Sequence, residues 1–197
     1  MKYEKEITVE LDTSFEELEK ILINNSFKEK ERYTVNDIYL INRNDKKEKD
    51  YLKLLSKCVL IRHIIEKDKD TKKITYKYKE YNDKKEIIKQ GKIDCNIDDI
   101  NTGIELFKKL NFEELININD NMIVYSNNED ELVVQYVNNK HIYIEIEDKC
   151  HYINKEYKTI EELKEVITKY NIPIKNNDYF VKKAEIELKE NINKEFN

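Results

Sequence analysis

The order of apolar and polar residues along the chain predicts an alternation of strands and helices. In residues 3–11, Ile7, Val9 and Leu11 alternate with polar residues, which is the period-two pattern of a half-buried strand. Similar segments predict further strands at 33–42, 57–67, 72–80, 86–97, 115–125, 131–137 and 140–148. We therefore expect about eight strands.

Helices are predicted where apolar residues recur with helical spacing behind a capping residue. Three pairs have capping-box spacing: Ser14 with Glu17, Thr102 with Glu105, and Thr159 with Glu162. Pro173 ends the third helix, a fourth is predicted from 178 to about 190, and 45–55 is either a short helix or a loop. The chain lacks βαβ alternation, so we predict an α+β fold: an antiparallel β barrel of about eight strands with flanking helices.

Length and charge narrow the classes of protein that remain. The 197 residues suit one domain, which we expect over 1–190, followed by a frayed tail at 191–197. The net charge of -5 makes bulk binding to nucleic acid or to anionic lipid unexpected. The apolar runs are too short to cross a bilayer, and the charged start lacks the apolar core of a signal peptide. We expect a cytoplasmic protein.

Cysteine, histidine and glycine contribute little candidate chemistry. Cys58, Cys95 and Cys150 stand too far apart for a paired motif, which argues against a disulfide framework or a structural zinc site. The chain has only 2 glycines, which excludes a glycine-rich phosphate loop. Any bound phosphate must therefore be held by side chains.

Three predicted strands carry rows of like charge opposite their apolar faces. The first and last strands carry acidic rows, at Glu4, Glu6 and Glu10 and at Glu145 and Glu147, and the strand at 72–80 carries Lys73, Lys77 and Lys79. Closing the sheet would pair the first strand with the last and set four of these carboxylates opposite the lysines. Such a carboxylate group fits Mg²⁺ or Mn²⁺. Alternatively, each row is simply a solvated face of a half-buried sheet.

Several segments resemble, in order, the motifs of the CYTH domain, the triphosphate tunnel metalloenzyme superfamily that includes class IV adenylyl cyclases, thiamine triphosphatases and inorganic triphosphatases. The resemblance rests on Glu4, Glu6, Asp37, Tyr39, Leu60, Arg62, Ile74, Thr75, Lys77, Ile144, Glu145, Ile146 and Glu147, on an apolar helix at 104–110, and on 177–180. It covers most of the chain. Three basic motifs of the family differ here: Thr8 replaces a lysine, Arg62 lacks a second arginine beside it, and the Lys-x-Arg strand reads Asn-Asp-Asn at 119–121.

The resemblance implies metal-dependent hydrolysis of a triphosphate-containing small molecule, such as tripolyphosphate or a nucleoside or thiamine triphosphate. The implied metal ligands are Glu4, Glu6, Glu145 and Glu147, holding Mg²⁺ or Mn²⁺. The implied catalytic residues are Glu4, Glu6, Arg62 and Lys77, and the implied substrate-binding residues are Asp37, Tyr39, Arg62, Lys77 and Lys79. A class IV cyclase activity remains an alternative within the enzymes.

Two other classes of function remain open. The uncharged Thr8 and Asn121 favour a binding module that recognises a nucleotide or signalling molecule without turning it over. The third possibility is a charged α+β protein that acts through a protein partner. Tight Mn²⁺ binding separates the third class from the other two, since a solvated sheet has no reason to bind the ion.

Overall fold

The computed structural model describes residues 5–81 and 87–195, which form eight strands and five helices. The strands are β1 (Glu6–Glu10), β2 (Lys28–Asn42), β3 (Val59–Ile65), β4 (Asp70–Tyr81), β5 (Ile87–Asn96), β6 (Phe112–Ser126), β7 (Glu131–Val137) and β8 (His141–Glu147). The helices are α1 (Phe15–Asn24), α2 (Tyr51–Ser56), α3 (Ile100–Lys109), α4 (Ile160–Lys169) and α5 (Lys183–Glu195).

All eight strands belong to one sheet in the order β1-β8-β7-β6-β2-β3-β4-β5. The registers of β1 with β8, β7 with β8 and β3 with its two neighbours are antiparallel. The predicted α+β class with an eight-stranded antiparallel sheet and flanking helices is therefore confirmed. The predicted pairing of the first strand with the last is confirmed as well, and it occurs at one end of the strand order.

The described residues divide into two compact units. The first unit consists of 34–119 and 182–195, and the second consists of 5–33 and 120–181. The long strands β2 and β6 contribute residues to both. A single domain over 1–190 with a frayed tail stays a prediction, while α5 continues as a helix to Glu195.

The core of the second unit lies on one face of β1, β7 and β8. Ile7, Val9 and Ile144 are fully buried there, and Leu18 of α1 and Leu163 of α4 pack into the same cluster. Burying side chains of this size removes apolar surface worth about 2 kcal/mol each. Because side chains alternate along a strand, the polar residues of β1 and β8 must lie on the opposite face.

In the first unit, α3 packs closely against β3. A Cβ added at Gly103 of α3 would lie 2.9 Å from Ile97 Cδ1 and 3.3 Å from Ile61 Cδ1, so the helix approaches the strand at a residue without a side chain. Leu54 of α2 and Leu60 of β3 are also buried. Among the described residues, no helix has the length and apolar character needed to cross a membrane.

The capping patterns predicted the start of α1 correctly but not that of α3. Ser14 and Glu17 form a complete capping box at α1, as predicted. By contrast, α3 begins earlier than predicted because Asp99 caps it, accepting a hydrogen bond of 2.7 Å from the backbone N–H of Thr102. Asn138 and Asn139, which both have positive φ, form the turn between β7 and β8.

The segment after α4 corrects the prediction of a helix starting at 178. The backbone N–H of Thr8 donates to the carbonyl of Tyr179 at 3.0 Å, and the N–H of Val181 donates to the carbonyl of Thr8 at 3.0 Å. Residues bonded to β1 in this way have extended backbone, so the helix can begin only at Lys183. The outer edge of β1 is thereby covered by the chain itself.

Candidate functional site

Three glutamates of β1 and β8 form a compact group, named here the acidic cluster. Glu6 lies opposite Glu147 in the register of the two strands, and Glu145 lies opposite Thr8. One carboxylate oxygen from each of Glu6, Glu145 and Glu147 lies within 4.8 Å of the others. The structure therefore brings together three of the four predicted metal ligands, while Glu4 lies outside the described residues.

The face of the sheet that carries the acidic cluster is largely shielded from solvent. Thr8 and Glu10 of β1 are each 7% exposed, and Gln135 and Tyr143 on β7 and β8 are 0% exposed. Glu145 is half-buried. Glu6 is half-buried as well, whereas Glu147 is exposed. The part of this face at Thr8, Glu10 and Tyr143 is therefore not a solvated outer surface, while its end at Glu147 is in contact with solvent.

A cavity of about 20 Å³ lies next to the cluster and is lined in part by Glu145, Glu147 and Glu131. Its volume is enough for about one water-sized species. The carboxylate of Glu131 is already bound within the chain, because it accepts hydrogen bonds of 2.7 Å from the backbone N–H groups of His151 and Tyr152. The cavity is therefore bounded by carboxylates from two neighbouring strands.

Glu10 extends the predicted acidic row but is already neutralised. Its Oε1 lies 2.8 Å from Lys175 Nζ and 3.1 Å from His141 Nδ1, and its side chain is 8% exposed. A buried carboxylate paired in this way has its charge compensated inside the protein. Glu10 is therefore not among the candidate ligands.

Tyr33 of β2 is a neighbour of the cluster that the sequence did not single out. Burial raises the pKa of its phenol well above the ordinary value, and the charges of Glu145 and Glu147 raise it further. The phenol therefore stays protonated at neutral pH and retains its hydrogen-bond donor. Nothing in the local sequence around Tyr33 marks it as a site residue. Only its position near Glu145 and Glu147 in the folded chain does so.

The donor set of the acidic cluster fits a hard divalent cation. Mg²⁺ and Mn²⁺ prefer oxygen ligands and are commonly bound by a few carboxylates. Three glutamate oxygens this close repel one another, and a cation removes that repulsion. The residues present thus fit the divalent ion that the sequence predicted.

In the first unit, Arg62 and Asp37 face each other on β3 and β2 and form a bidentate ion pair. Arg62 Nε donates to Asp37 Oδ1 at 2.6 Å, and Nη2 donates to Oδ2 at 2.5 Å. Burial alone would raise the pKa of Asp37, but Arg62, with help from Lys77 and Lys183, holds it below its ordinary value. The predicted phosphate-binding arginine is therefore already engaged by a carboxylate.

The basic row of β4 is present, and an aspartate that the sequence did not single out accompanies it. Lys73 Nζ lies 3.0 Å from Asp94 Oδ2, and Thr75 donates to Asp94 Oδ1 at 2.8 Å. Lys77 lies opposite Lys92 of β5 in the register. We name Arg62, Lys73, Lys77 and Lys92 the cationic face. Lys79 follows on β4 opposite Gln90, and its side chain is outside the described part of the structure.

Tyr39, a predicted substrate-binding residue, is 8% exposed. It lies two residues from Asp37 on the same face of β2 and opposite Leu60. Burial raises the pKa of its phenol well above the ordinary value, and the charge of Asp37 adds to this. The phenol is therefore protonated at neutral pH.

The Asn-Asp-Asn segment of β6 corrects one expectation. Asn119 and Asn121 are exposed, while Asp120 between them is 7% exposed. Asn119 Oδ1 accepts a hydrogen bond of 2.5 Å from Asn36 Nδ2. The two asparagines therefore do not occupy the buried face of β6 in place of basic residues, and Asp120 takes that position.

Comparison with solved structures identifies the fold. The PH1819 protein from Pyrococcus horikoshii OT3 is 19% identical with a TM-score of 0.67, covering 95% of this chain and 99% of its own. HpAC1 from Hippeastrum, described as a proposed adenylyl cyclase with a dominant triphosphatase activity, is 12% identical with a TM-score of 0.61 and 96% coverage of both chains. A proposed adenylate cyclase from Vibrio parahaemolyticus is 8% identical with a TM-score of 0.55, covering 90% of this chain and 95% of its own.

These likenesses show that the chain has the CYTH, or triphosphate tunnel, fold. At such low identity they show the fold alone. No protein-family model and no curated protein matches the sequence.

Proposed function

We propose that this chain is a divalent-metal-dependent phosphohydrolase that acts on a triphosphate-containing small molecule. The acidic cluster of Glu6, Glu145 and Glu147 is the single observation that carries the proposal most directly. Solved structures of the same fold support it, since one of them is described as having a dominant triphosphatase activity. Tripolyphosphate, nucleoside triphosphates and thiamine triphosphate are the substrates we consider.

In this proposal the acidic cluster, together with Glu4, holds Mg²⁺ or Mn²⁺. The ion would neutralise charge on the phosphate oxygens. The half-buried position of Glu6 and Glu145 favours the role, because partial removal from water strengthens their interaction with a cation. Phosphoryl transfer to water needs positioning and charge neutralisation more than a protein nucleophile, which agrees with the lack of a paired cysteine or histidine motif.

The cationic face would bind phosphate oxygens. Lys77 and Lys79 are the predicted phosphate ligands on β4, and Lys92 lies opposite Lys77. Each ammonium acts on a phosphate as a point charge. The proposed catalytic residues are Glu4, Glu6, Lys77 and Arg62, with Arg62 fixed in its position by Asp37.

A phosphate-release screen tests the proposal. We expect hydrolysis of triphosphates with Mg²⁺ or Mn²⁺, loss of most of it in Glu145→Gln/Glu147→Gln, and a much lower rate on a simple phosphomonoester. Lys77→Ala should weaken substrate binding by roughly 10-fold or more, since a charge-assisted hydrogen bond contributes about 1.5 to 3 kcal/mol. Lys72→Ala is the matched control, because Lys72 alternates with Lys73 on β4 and pairs with Asp70. Equal rates on all phosphate esters would contradict the proposal.

Cyclase chemistry is the alternative within the enzymes, favoured by the two solved structures described as proposed cyclases. The products distinguish it, because a cyclase releases pyrophosphate and a cyclic nucleotide whereas a triphosphatase releases phosphate. Identification of the products formed from ATP decides between the two.

A binding module without turnover is the second candidate function. The observation that favours it is that Arg62 and Lys73 are already paired with Asp37 and Asp94, which lowers the positive charge left for a triphosphate. Equilibrium binding of a nucleotide with no product after prolonged incubation would support this module over the hydrolase. For either function we propose a cytoplasmic location and no bulk binding to nucleic acid.

A further inference from the structure

The strand β5 ends the strand order of the sheet, and its residues from 92 to 96 are open to solvent on both faces. Residues Lys92 to Asn96 are all exposed, and Ile93 retains 65% of its accessible surface. Tyr76, the neighbour of Ile93 on β4, is 39% exposed on the same face. In the described part of the chain, β5 has one strand partner, so one row of its backbone groups faces outward. Such an edge is a template for another strand.

The sequence of β5 is complementary to itself around Ile93. An antiparallel pairing of two copies centred on this residue sets Ile93 opposite Ile93 of the partner subunit. The same register sets Lys92 opposite Asp94 of the partner subunit, and Asp94 opposite Lys92 of the partner subunit. Opposite charges in directly facing positions stabilise a strand pair, and two facing isoleucines bury apolar surface.

Charges on an edge strand often prevent its pairing with another strand. A β-bulge and a run of lysines are common protective devices. Here the register shift lies at Glu80 and Tyr81, away from Ile93, and the charges at 92 and 94 have opposite signs. A uniformly positive edge would repel its copy, whereas this register sets each Lys92 opposite an Asp94, a carboxylate that also binds Lys73 of its own chain.

We propose that the β5 edge is an interface through which two copies of this chain pair as an antiparallel, two-fold symmetric homodimer. Pairing would continue the sheet across the dimer and join Ile93 and Tyr76 of both copies into one apolar stripe. The contact is a single strand pair and is smaller than the roughly 1,200 to 2,000 Å² of a stable interface, so association should be reversible and depend on concentration. Lys92 belongs to both the interface and the cationic face, but the tests of the interface measure association and not hydrolysis, so the two proposals can fail separately.

Sedimentation over a range of protein concentrations tests the dimer. We expect wild type to shift from monomer to dimer as concentration rises, and Ile93→Lys to raise the dissociation constant by 10-fold or more, since it sets two ammonium groups opposite each other. Ile23→Lys is the matched control, because Ile23 on α1 is 67% exposed and adds the same charge elsewhere. A wild type that stays monomeric at every concentration, or an Ile23→Lys that dissociates the dimer equally, overturns the proposal.

Disulfide formation tests the register itself. In the proposed pairing the Cα atoms of residue 93 in the two copies lie about 4.5 to 5.5 Å apart, within the range that a disulfide spans. In the same register the exposed Cys95 residues of the two copies are offset by four positions, so they lie about 13 Å apart along the strand. Ile93→Cys/Cys95→Ser should therefore form a covalent dimer under mild oxidation, whereas wild type with its native Cys95 should not. Equal cross-linking of both proteins, or of neither, contradicts this register.

Discussion

Glu6 and Glu147 lie directly opposite each other on β1 and β8, so two carboxylates share one position of the sheet. Like charges in facing positions destabilise a strand pair. The register is nevertheless determined by the other face, where Ile7 lies opposite Ile146 and both are buried. A shift by one residue would turn the glutamates into the core. Hydrophobic burial thus holds the acidic cluster together against its own repulsion.

We expect the acidic cluster to make the stability of the folded protein depend on divalent metal. We expect Mg²⁺ or Mn²⁺ to raise the melting temperature, because an ion that binds only the folded state stabilises it by mass action. At 100 times the dissociation constant, the free energy of unfolding should rise by about 2.7 kcal/mol. Thermal melts with added metal and with EDTA provide the measurement.

Two double variants isolate the cluster in that experiment. Glu145→Gln/Glu147→Gln should abolish the metal response, since two of the three carboxylates of the acidic cluster are removed. Glu16→Gln/Glu161→Gln removes the same charge from exposed positions on α1 and α4 and should leave the response intact. An identical metal response in wild type and in both variants would rule out the site.

Thr8→Lys restores a basic residue at a buried position opposite Glu145. The new ammonium would lie beside that carboxylate, on the strand face that carries Glu6. We expect triphosphate affinity or turnover to rise by roughly 10-fold, the effect of one charge-assisted contact. Thr102→Lys, at an exposed position of α3, is the control. Weaker ligand binding in Thr8→Lys, with a wild type that holds a nucleotide without consuming it, would favour the binding module.

The ion pair between Arg62 and Asp37 should be a strong coupling in the first unit. Removing one partner by Arg62→Met or Asp37→Leu leaves a buried charge without its counter-ion, which costs about 3 to 5 kcal/mol. The double variant should lose much less than the sum of the two, because no charge remains buried. Urea unfolding of the four proteins measures the coupling. Additive losses would mean that the bidentate geometry contributes little.

Asp130 should make the second unit sensitive to acid. Its side chain is 1% exposed and accepts hydrogen bonds from Lys155, Lys169, Tyr157 at 2.7 Å and Tyr170 at 2.6 Å. Burial alone would raise its pKa, but these four donors lower it well below the ordinary value. A group with a lowered folded pKa contributes stability that is complete above the unfolded pKa of about 3.9 and is lost as the pH falls below it.

Asp130→Asn is expected to reduce the free energy of unfolding by about 1.5 to 3 kcal/mol at pH 7, the contribution of a hydrogen bond to a charged group, because Lys155 and Lys169 remain partly exposed to water. The difference from wild type should shrink below pH 4. Glu129→Gln serves as the comparison, because Glu129 binds the same Lys169 from a side chain that is 69% exposed. If both variants show the same loss at pH 7 and the same pH dependence, the buried position of Asp130 does not matter.

The face of the sheet on which each side chain lies could be predicted from sequence, because it depends only on the local alternation of polar and apolar residues. The pattern of Ile7 and Val9 placed Glu6 on the face opposite the core, and the structure has it there. The capping box of Ser14 was similarly local. Both predictions needed no information about distant parts of the chain.

What could not be predicted depends on contacts between residues far apart in sequence. Asp37 and Arg62 are separated by 25 positions, and nothing near either residue indicates that the guanidinium is bound by a carboxylate. Asp94 and Tyr33 were missed for the same reason. The segment at 179–181 was wrongly predicted as helix. Its extended backbone is imposed by hydrogen bonds to Thr8, which is far away in the sequence.

Those hydrogen bonds to β1 also affect the order in which the protein is completed during synthesis. The two lateral partners of β1 are β8 and the segment at 173–181, which are synthesised more than 130 residues later. Contacts of such long sequence separation form late, because the loop they close is costly in entropy. Glu6 therefore cannot take its place beside Glu147 until β8 has been synthesised, and a nascent chain shortened before residue 141 would lack the acidic cluster altogether.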